Sequence, residues 1–140
     1  MAGPALKQLH AHRAIHDGGL SGAIQKTESF LSLWWEKKLE GAEAALDDVI
    51  DYWKTRIISH ADAEESGFYE EVVTNDPSLE RAVIQLERDH ELLRIIVKDI
   101  EMERKNEGIN DQIIQKLFTL IHMNEIHSRD EERLLFPHEH

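Results

Sequence analysis

The chain has 140 residues, a length that suits one domain with a real core and not two. Its formal net charge of −12 opposes contact with nucleic acid and anionic membrane surfaces, and the absence of cysteine removes disulfides, thiolate metal sites and thiol catalysis together. No apolar run reaches membrane-spanning length and the opening Met1-Ala2-Gly3-Pro4 has no secretory core, so a cytoplasmic setting is expected.

With only 7 Gly and 3 Pro, and hydrophobics dominated by Leu, Ile and Ala, the composition predicts helix. The first helix follows Pro4 through Leu6, Leu9, His16, Leu20, Ile24, Leu31 and Trp34, apolar positions spaced by threes and fours. Gly18, Gly19 and Gly22 each cost about 1 kcal/mol relative to alanine, which predicts a bend or a late start. Basic residues in Lys37-Lys38-Leu39-Glu40-Gly41 suit a helix C-terminus, with Gly41 as its cap. The second helix carries Ala45, Val49, Tyr52, Trp53, Ile57, His60, Glu64 and Phe68, and should fade between Val72 and Asn75. Asn75-Asp76-Pro77-Ser78 breaks the pattern and restarts it. A third stripe joins Leu79, Val83, Leu86, His90, Leu93, Val97 and Ile100; a polar connection around Gly108 follows. The fourth runs from Asp111 through Ile114, Leu117, Leu120, Met123, His127, Glu131 and Leu134 to Phe136-Pro137. Four amphipathic helices with short connections predict an all-α, up-down-up-down four-helix bundle.

One pattern occurs twice: His60-Ala61-Asp62-Ala63-Glu64-Glu65 and His127-Ser128-Arg129-Asp130-Glu131-Glu132. Four residues advance about 400° along a helix, so His60 shares a face with Glu64, and His127 with Glu131. The fifth position lies about 140° away, so Glu65 and Glu132 are expected to face water. Asp130 also falls near the face of His127, but its counterpart is Ala63, and the repeat therefore selects the glutamates.

Antiparallel neighbours meet where residues lie equally far from the turn between them. The midpoint of His90 and His127 falls at Gly108, and that of His16 and His60 at Lys38; His12 with His60 meets slightly earlier. The helices should therefore bring His16, His60 with Glu64, His90, and His127 with Glu131 to similar depth. Each half is a lone histidine plus a His-x-x-x-Glu, ligation for two metals. Nitrogen and oxygen donors without thiolate suit iron, manganese or zinc, and iron is preferred because such ligation leaves positions open for oxygen chemistry. Alone, His90 would read as a hydrogen-bonded core residue and one His-x-x-x-Glu as a surface pair. Burying all these groups without a cation would cost too much.

The lone histidines, the paired His-x-x-x-Glu and the ending Glu131-Glu132-Arg133-Leu134-Leu135-Phe136-Pro137 resemble the hemerythrin-like family, with its His/His/Glu cation-binding domain, over almost the whole chain. The resemblance implies a non-haem di-iron centre, with Glu64 and Glu131 and an oxo or hydroxo group bridging the irons and His16, His60, His90 and His127 as terminal ligands. His12, one turn before His16 and followed by Arg13 as is frequent in the family, is either a fifth histidine or the true first-helix ligand. Two departures separate the chain from oxygen-carrying members: Arg94 stands where they have a second third-helix histidine, and the last-helix carboxylate is Glu131, four residues after His127 and not five. The arrangement is closer to members that sense iron or oxygen, repair iron-sulfur centres, or handle peroxide or nitric oxide.

Competing motifs are weaker. Glu87-Arg88-Asp89-His90 has the Glu-x-x-His spacing of ferritin-like bundles but occurs once where two are required, and His90-Glu91-Leu92-Leu93-Arg94 lacks the second histidine of the zinc-protease signature. His10, His122, His138 and His140 are expected in or near solvent. Trp34, Trp35 and Trp53 are expected to pack the core, with a dimer patch as the lesser reading, and the state is monomer or weak homodimer. Leu20, Ile24, Leu86, Leu93, Leu120 and Met123 should form a dry wall around the metals that favours a small neutral ligand. Two classes of function follow: a module that binds or senses dioxygen, or an enzyme that turns over peroxide or nitric oxide, helped by a nearby proton donor such as Tyr52 or His122.

Overall fold

The computed structural model describes residues 4–136, with side chains from residue 11 onward. Its helices are α1 Pro4–Trp35, α2 Leu39–Tyr52, α3 Ser59–Ala63, α4 Tyr69–Asn75, α5 Glu80–Glu107 and α6 Asp111–Leu135, with no strand among the described residues. The short helices α2, α3 and α4 follow one another along a single rod, joined by π-helical turns at Trp53–Ile58 and Glu64–Phe68. Four rods thus stand in the expected up-down-up-down order. α1 packs on α2 and on α6, and α5 packs on α6 and on the first π turn, which closes the ring.

Each connection has a local cause. After α1, the Lys38 N–H donates to the Leu33 carbonyl and the Lys37 N–H to that of Trp34, both at 3.0 Å, with Lys37 in the left-handed region at φ 61°. Glycine normally takes that position, and Gly41, expected as the cap, lies inside α2 against the Leu33 side chain instead. Before α5, Asp76 accepts the Ser78 N–H at 3.1 Å and Pro77 opens a 3-10 turn. Gly108 ends α5 at φ 80° and ψ −172°, a conformation essentially reserved for glycine, and the Asn110 side chain caps α6 by accepting the Ile113 N–H at 3.2 Å.

α1 runs as one unbroken helix through its glycines, from Pro4 to Trp35, without the late start that was one expectation there. Tyr52 lies against these glycines: its hydroxyl donates to the Gly19 carbonyl at 2.9 Å, and a Cβ on Gly22 would sit 2.1 Å from that hydroxyl oxygen. The missing side chains let the ring of Tyr52 lie across the helix.

The core divides into two apolar clusters. The larger holds Phe30, Leu46, Trp53, Val97 and Leu117; the smaller holds Tyr69, Val83, Leu86, Leu135 and Phe136. Each fully buried side chain of this size contributes about 1.5–3 kcal/mol. Trp53 is fully buried and Trp34 packs against the larger cluster, whereas Trp35 is 66% exposed. Of the expected wall, Leu86, Leu93 and Leu120 are buried and Leu20 and Met123 pack at its edge, but Ile24 faces solvent. No described helix is long and apolar enough to cross a membrane.

The strained cap gives a direct test. Replacing Lys37 with glycine should raise stability by about 1 kcal/mol, since a left-handed non-glycine residue costs about 1–2 kcal/mol. Urea midpoints measure this, and an unchanged midpoint would show that the Lys37 turn stores no such cost.

Candidate metal centre

A polar layer separates the two apolar clusters. His90 stands between Leu86 and Leu93, His127 and Glu131 between Leu120 and Leu135, and His60 and Glu64 between Ile57 and Tyr69. Glu64 is 4% exposed, His90 2%, His127 3% and Glu131 0%. Charged groups buried to this degree need partners.

Those partners are one another. Donor atoms of His12, His16, Glu64 and Glu131 all lie within 4.8 Å of each other, and so do those of Glu64, His90, His127 and Glu131. The two carboxylates belong to both groups, and each divides its oxygens between them. Glu131 Oε1 lies 3.2 Å from His12 Nδ1 and 3.4 Å from His16 Nε2, while its Oε2 lies 3.4 Å from His127 Nε2. Glu64 Oε2 lies 3.6 Å from His60 Nε2 and 3.9 Å from His12 Nδ1, while its Oε1 lies 3.5 Å from His90 Nε2. His90 Nε2 and His127 Nε2 face each other at 3.0 Å, a pair that can share one proton or one cation.

Outer contacts fix the rings. His90 Nδ1 meets Glu65 Oε2 at 2.8 Å, and His127 Nδ1 meets Asp89 Oδ2 at 2.9 Å, which turns each Nε2 toward the centre. Arg94 donates to Glu65 and to Asp62, both at 2.6 Å, so it braces the second rod against α5. The second copy of the repeat is braced likewise, with Arg13 donating to Glu132 at 3.1 Å. Phe68 and Phe136 enclose the His12 ring, with centroids 4.6 and 5.2 Å away. Tyr69 stacks on His90, and its hydroxyl donates to Glu131 Oε2.

The electrostatics follow from burial and these pairs. Burial lowers the pKa of His16 despite the nearby Glu131 and Glu64. For His60 the adjacent Glu64 wins over burial and raises it. Burial would also lower His127, but Asp89 and Glu131 overcome it and raise the group to about 9. Glu131, despite a burial penalty on its charge, is held well below the usual carboxylate range by His12 and His127. Burial, then the charges of Glu131 and Glu64, push the Tyr69 phenol far up, so it keeps its proton.

Six of the seven residues predicted for the site, His12, His16, Glu64, His90, His127 and Glu131, fall in these two groups. His12 and His16 both reach the first group, and His60 stands beside Glu64, 30% exposed and outside both groups. Glu65 and Glu132 do not simply face water as expected; they reach across to α5 and α1. Tyr52 donates to the Gly19 carbonyl and His122 is exposed, and no hydrogen bond joins either to the cluster among the described residues. Glu87 faces a surface cleft with Glu65 and Glu80. His10, His138 and His140 lie outside the described side chains.

Sequence reasoning missed Tyr69, and the reason is the second π turn. An uninterrupted α-helix would put Tyr69 about 140° from Glu64. Here the Tyr69 N–H donates to the Glu64 carbonyl, five residues back, which brings Tyr69 round to the Glu64 face. Asp89 was legible only as the neighbour of His90.

The donors fit a cation on an observation of their own. Four buried side-chain atoms among the described residues lack any hydrogen-bond partner, and three of them, His16 Nδ1, His60 Nε2 and Glu64 Oε2, belong to this cluster. The fourth is Trp53 Nε1. Unpartnered buried polar atoms are costly, and a cation bound by this oxygen and nitrogen set relieves that cost. The family model described as "Hemerythrin HHE cation binding domain" matches residues 23–138. No curated protein and no solved structure matches the chain significantly.

A pH test follows for the metal-free chain. Folding raises the pKa of His127 from 6.5 to about 9, so its contribution to stability is complete below pH 6.5 and is lost as pH rises through about 9. Urea midpoints should fall across that window, and fall less in Asp89→Asn. A ligating imidazole must give up its proton, so cation affinity should rise over the same range. Midpoints independent of pH would contradict the assignment.

Proposed function

The chain belongs to the hemerythrin HHE cation-binding domain family, and on that premise we propose that it holds two iron ions and binds or senses dioxygen, peroxide or nitric oxide. The supporting observation is that Glu64 and Glu131 each turn one oxygen to the His12, His16 and His60 side and the other to the His90 and His127 side. Two carboxylates so divided suit a pair of ions held side by side. His12, His16 and His60 would hold one, His90 and His127 the other. Iron bound there supplies reversible one-electron chemistry and open coordination positions; manganese or zinc would fit the same donors. The chain itself contributes geometry, a dry surround from the two apolar clusters, and histidines oriented by Glu65 and Asp89.

A second reading, turnover of peroxide or nitric oxide, is favoured by one contact. The Tyr69 hydroxyl keeps its proton and donates a hydrogen bond to Glu131, so a fixed hydrogen-bond donor stands at the cluster, able to stabilise charge that develops there.

Metal analysis of anaerobically purified protein should give about two irons per chain, and far less in Glu64→Ala and Glu131→Ala. A visible band that appears with oxygen and reverses on its removal would identify the binding protein. If peroxide is instead consumed catalytically, Tyr69→Phe should retain its iron while the rate drops about 10²-fold. Wild-type protein without metal would sink the proposal.

A further inference from the structure

Beside the cluster, where α1, the second rod and α6 meet, lies a cavity of about 30 Å³. A water needs about 10–15 Å³ by this measure, so the cavity holds a ligand of two or three atoms. His16, His60 and His90 line it, together with Asn124 and Arg56. Although the chain carries 28 acidic residues, none lines this cavity among the described residues. The other cleft that reaches the cluster's surroundings, at Tyr69, is lined by Glu65, Glu70, Glu80 and Glu87.

Two of the polar groups here carry N–H donors, the Asn124 amide, 7% exposed, and the Arg56 guanidinium. Arg56 is exposed, and its Nη2 lies 3.5 Å from where a Cβ on Gly18 would stand, so the guanidinium rests against α1 across the gap. Unlike Arg13 and Arg94, it forms no ion pair among the described residues.

We propose that this cavity is the ligand entrance, that it takes a small anion the size of azide, nitrite or hydroperoxide, and that Arg56 is the residue that selects it. The inference rests on the reading that the cluster holds iron. A guanidinium with free donors attracts and orients an anion where an otherwise acidic surface repels it. Such an anion differs from the small neutral ligand expected from the aliphatic wall. Arg56 stands one turn before His60, a spacing visible in the sequence but without meaning until the cavity is seen.

The test titrates azide into the full chain loaded with ferric iron, following the azide-to-iron absorption band, with iron content measured on each sample. Arg56→Gln should weaken azide about tenfold at unchanged iron content, Arg56→Lys should recover most of the loss, and Lys98→Gln, which changes net charge equally on α5, should have no effect. Added salt should weaken azide in the wild type more than in Arg56→Gln. Equal affinities in wild type and Arg56→Gln, with iron in place, overturn the anion entrance and leave the iron reading standing. A wild-type chain that takes up no iron overturns both.

Discussion

Two glutamates buried in the middle of a bundle set the terms for the rest of this molecule. Moving a carboxylate out of water costs several kcal/mol even after relaxation, which outweighs the gain from any one neighbouring leucine. Glu64 and Glu131 are tolerable only because histidines from all four rods surround them, and those histidines in turn need Glu65 and Asp89 on their outer nitrogens. The layer interrupts what would otherwise be a continuous apolar core. In exchange it gives the fold a register: sliding any rod by one turn would leave a charge facing an aliphatic side chain.

The second rod shows how the layer is assembled. His60 and Glu64 lie in and beside the short α3, and a π turn stands on either side of it. The first turn carries Arg56 and Ile57 toward α1; the second brings Tyr69 onto the face of Glu64. Local departures of this kind are frequent at functional sites, where an extra residue re-aims a side chain without ending the helix. The other three rods need no such adjustment, because each contributes residues spaced by whole turns: His12 and His16, His90 alone, and His127 with Glu131.

The two halves of the layer are alike in plan and different in surroundings. His90 and His127 are tied to carboxylates at Nδ1 and lie beside Tyr69, close to an acidic cleft. His16 and His60 keep unpartnered nitrogens and adjoin the cavity without acidic lining. A pseudo-repeat in the chain therefore becomes an asymmetric cluster, with the phenol of Tyr69 on one side and a cavity on the other.

The sequence alone determined the four rods, their order, and the depth at which the histidines meet, because apolar periodicity and turn residues are local properties and antiparallel geometry converts distance from a turn into level. It also singled out His12, His16, His60, Glu64, His90, His127 and Glu131, since a repeated His-x-x-x-Glu needs only a helical period to be read. It left open whether His12 or His16 is the first-helix ligand, and both stand in the cluster, one turn apart on the unbroken α1. Only the tertiary structure decided which oxygen of each carboxylate faces which histidines, that Glu65 and Glu132 turn to neighbouring rods, that Tyr69 bonds Glu131, and that Arg56 lines the adjoining cavity. Those facts depend on π turns and on gaps between rods, which have no period in the sequence and exist only once the helices are packed.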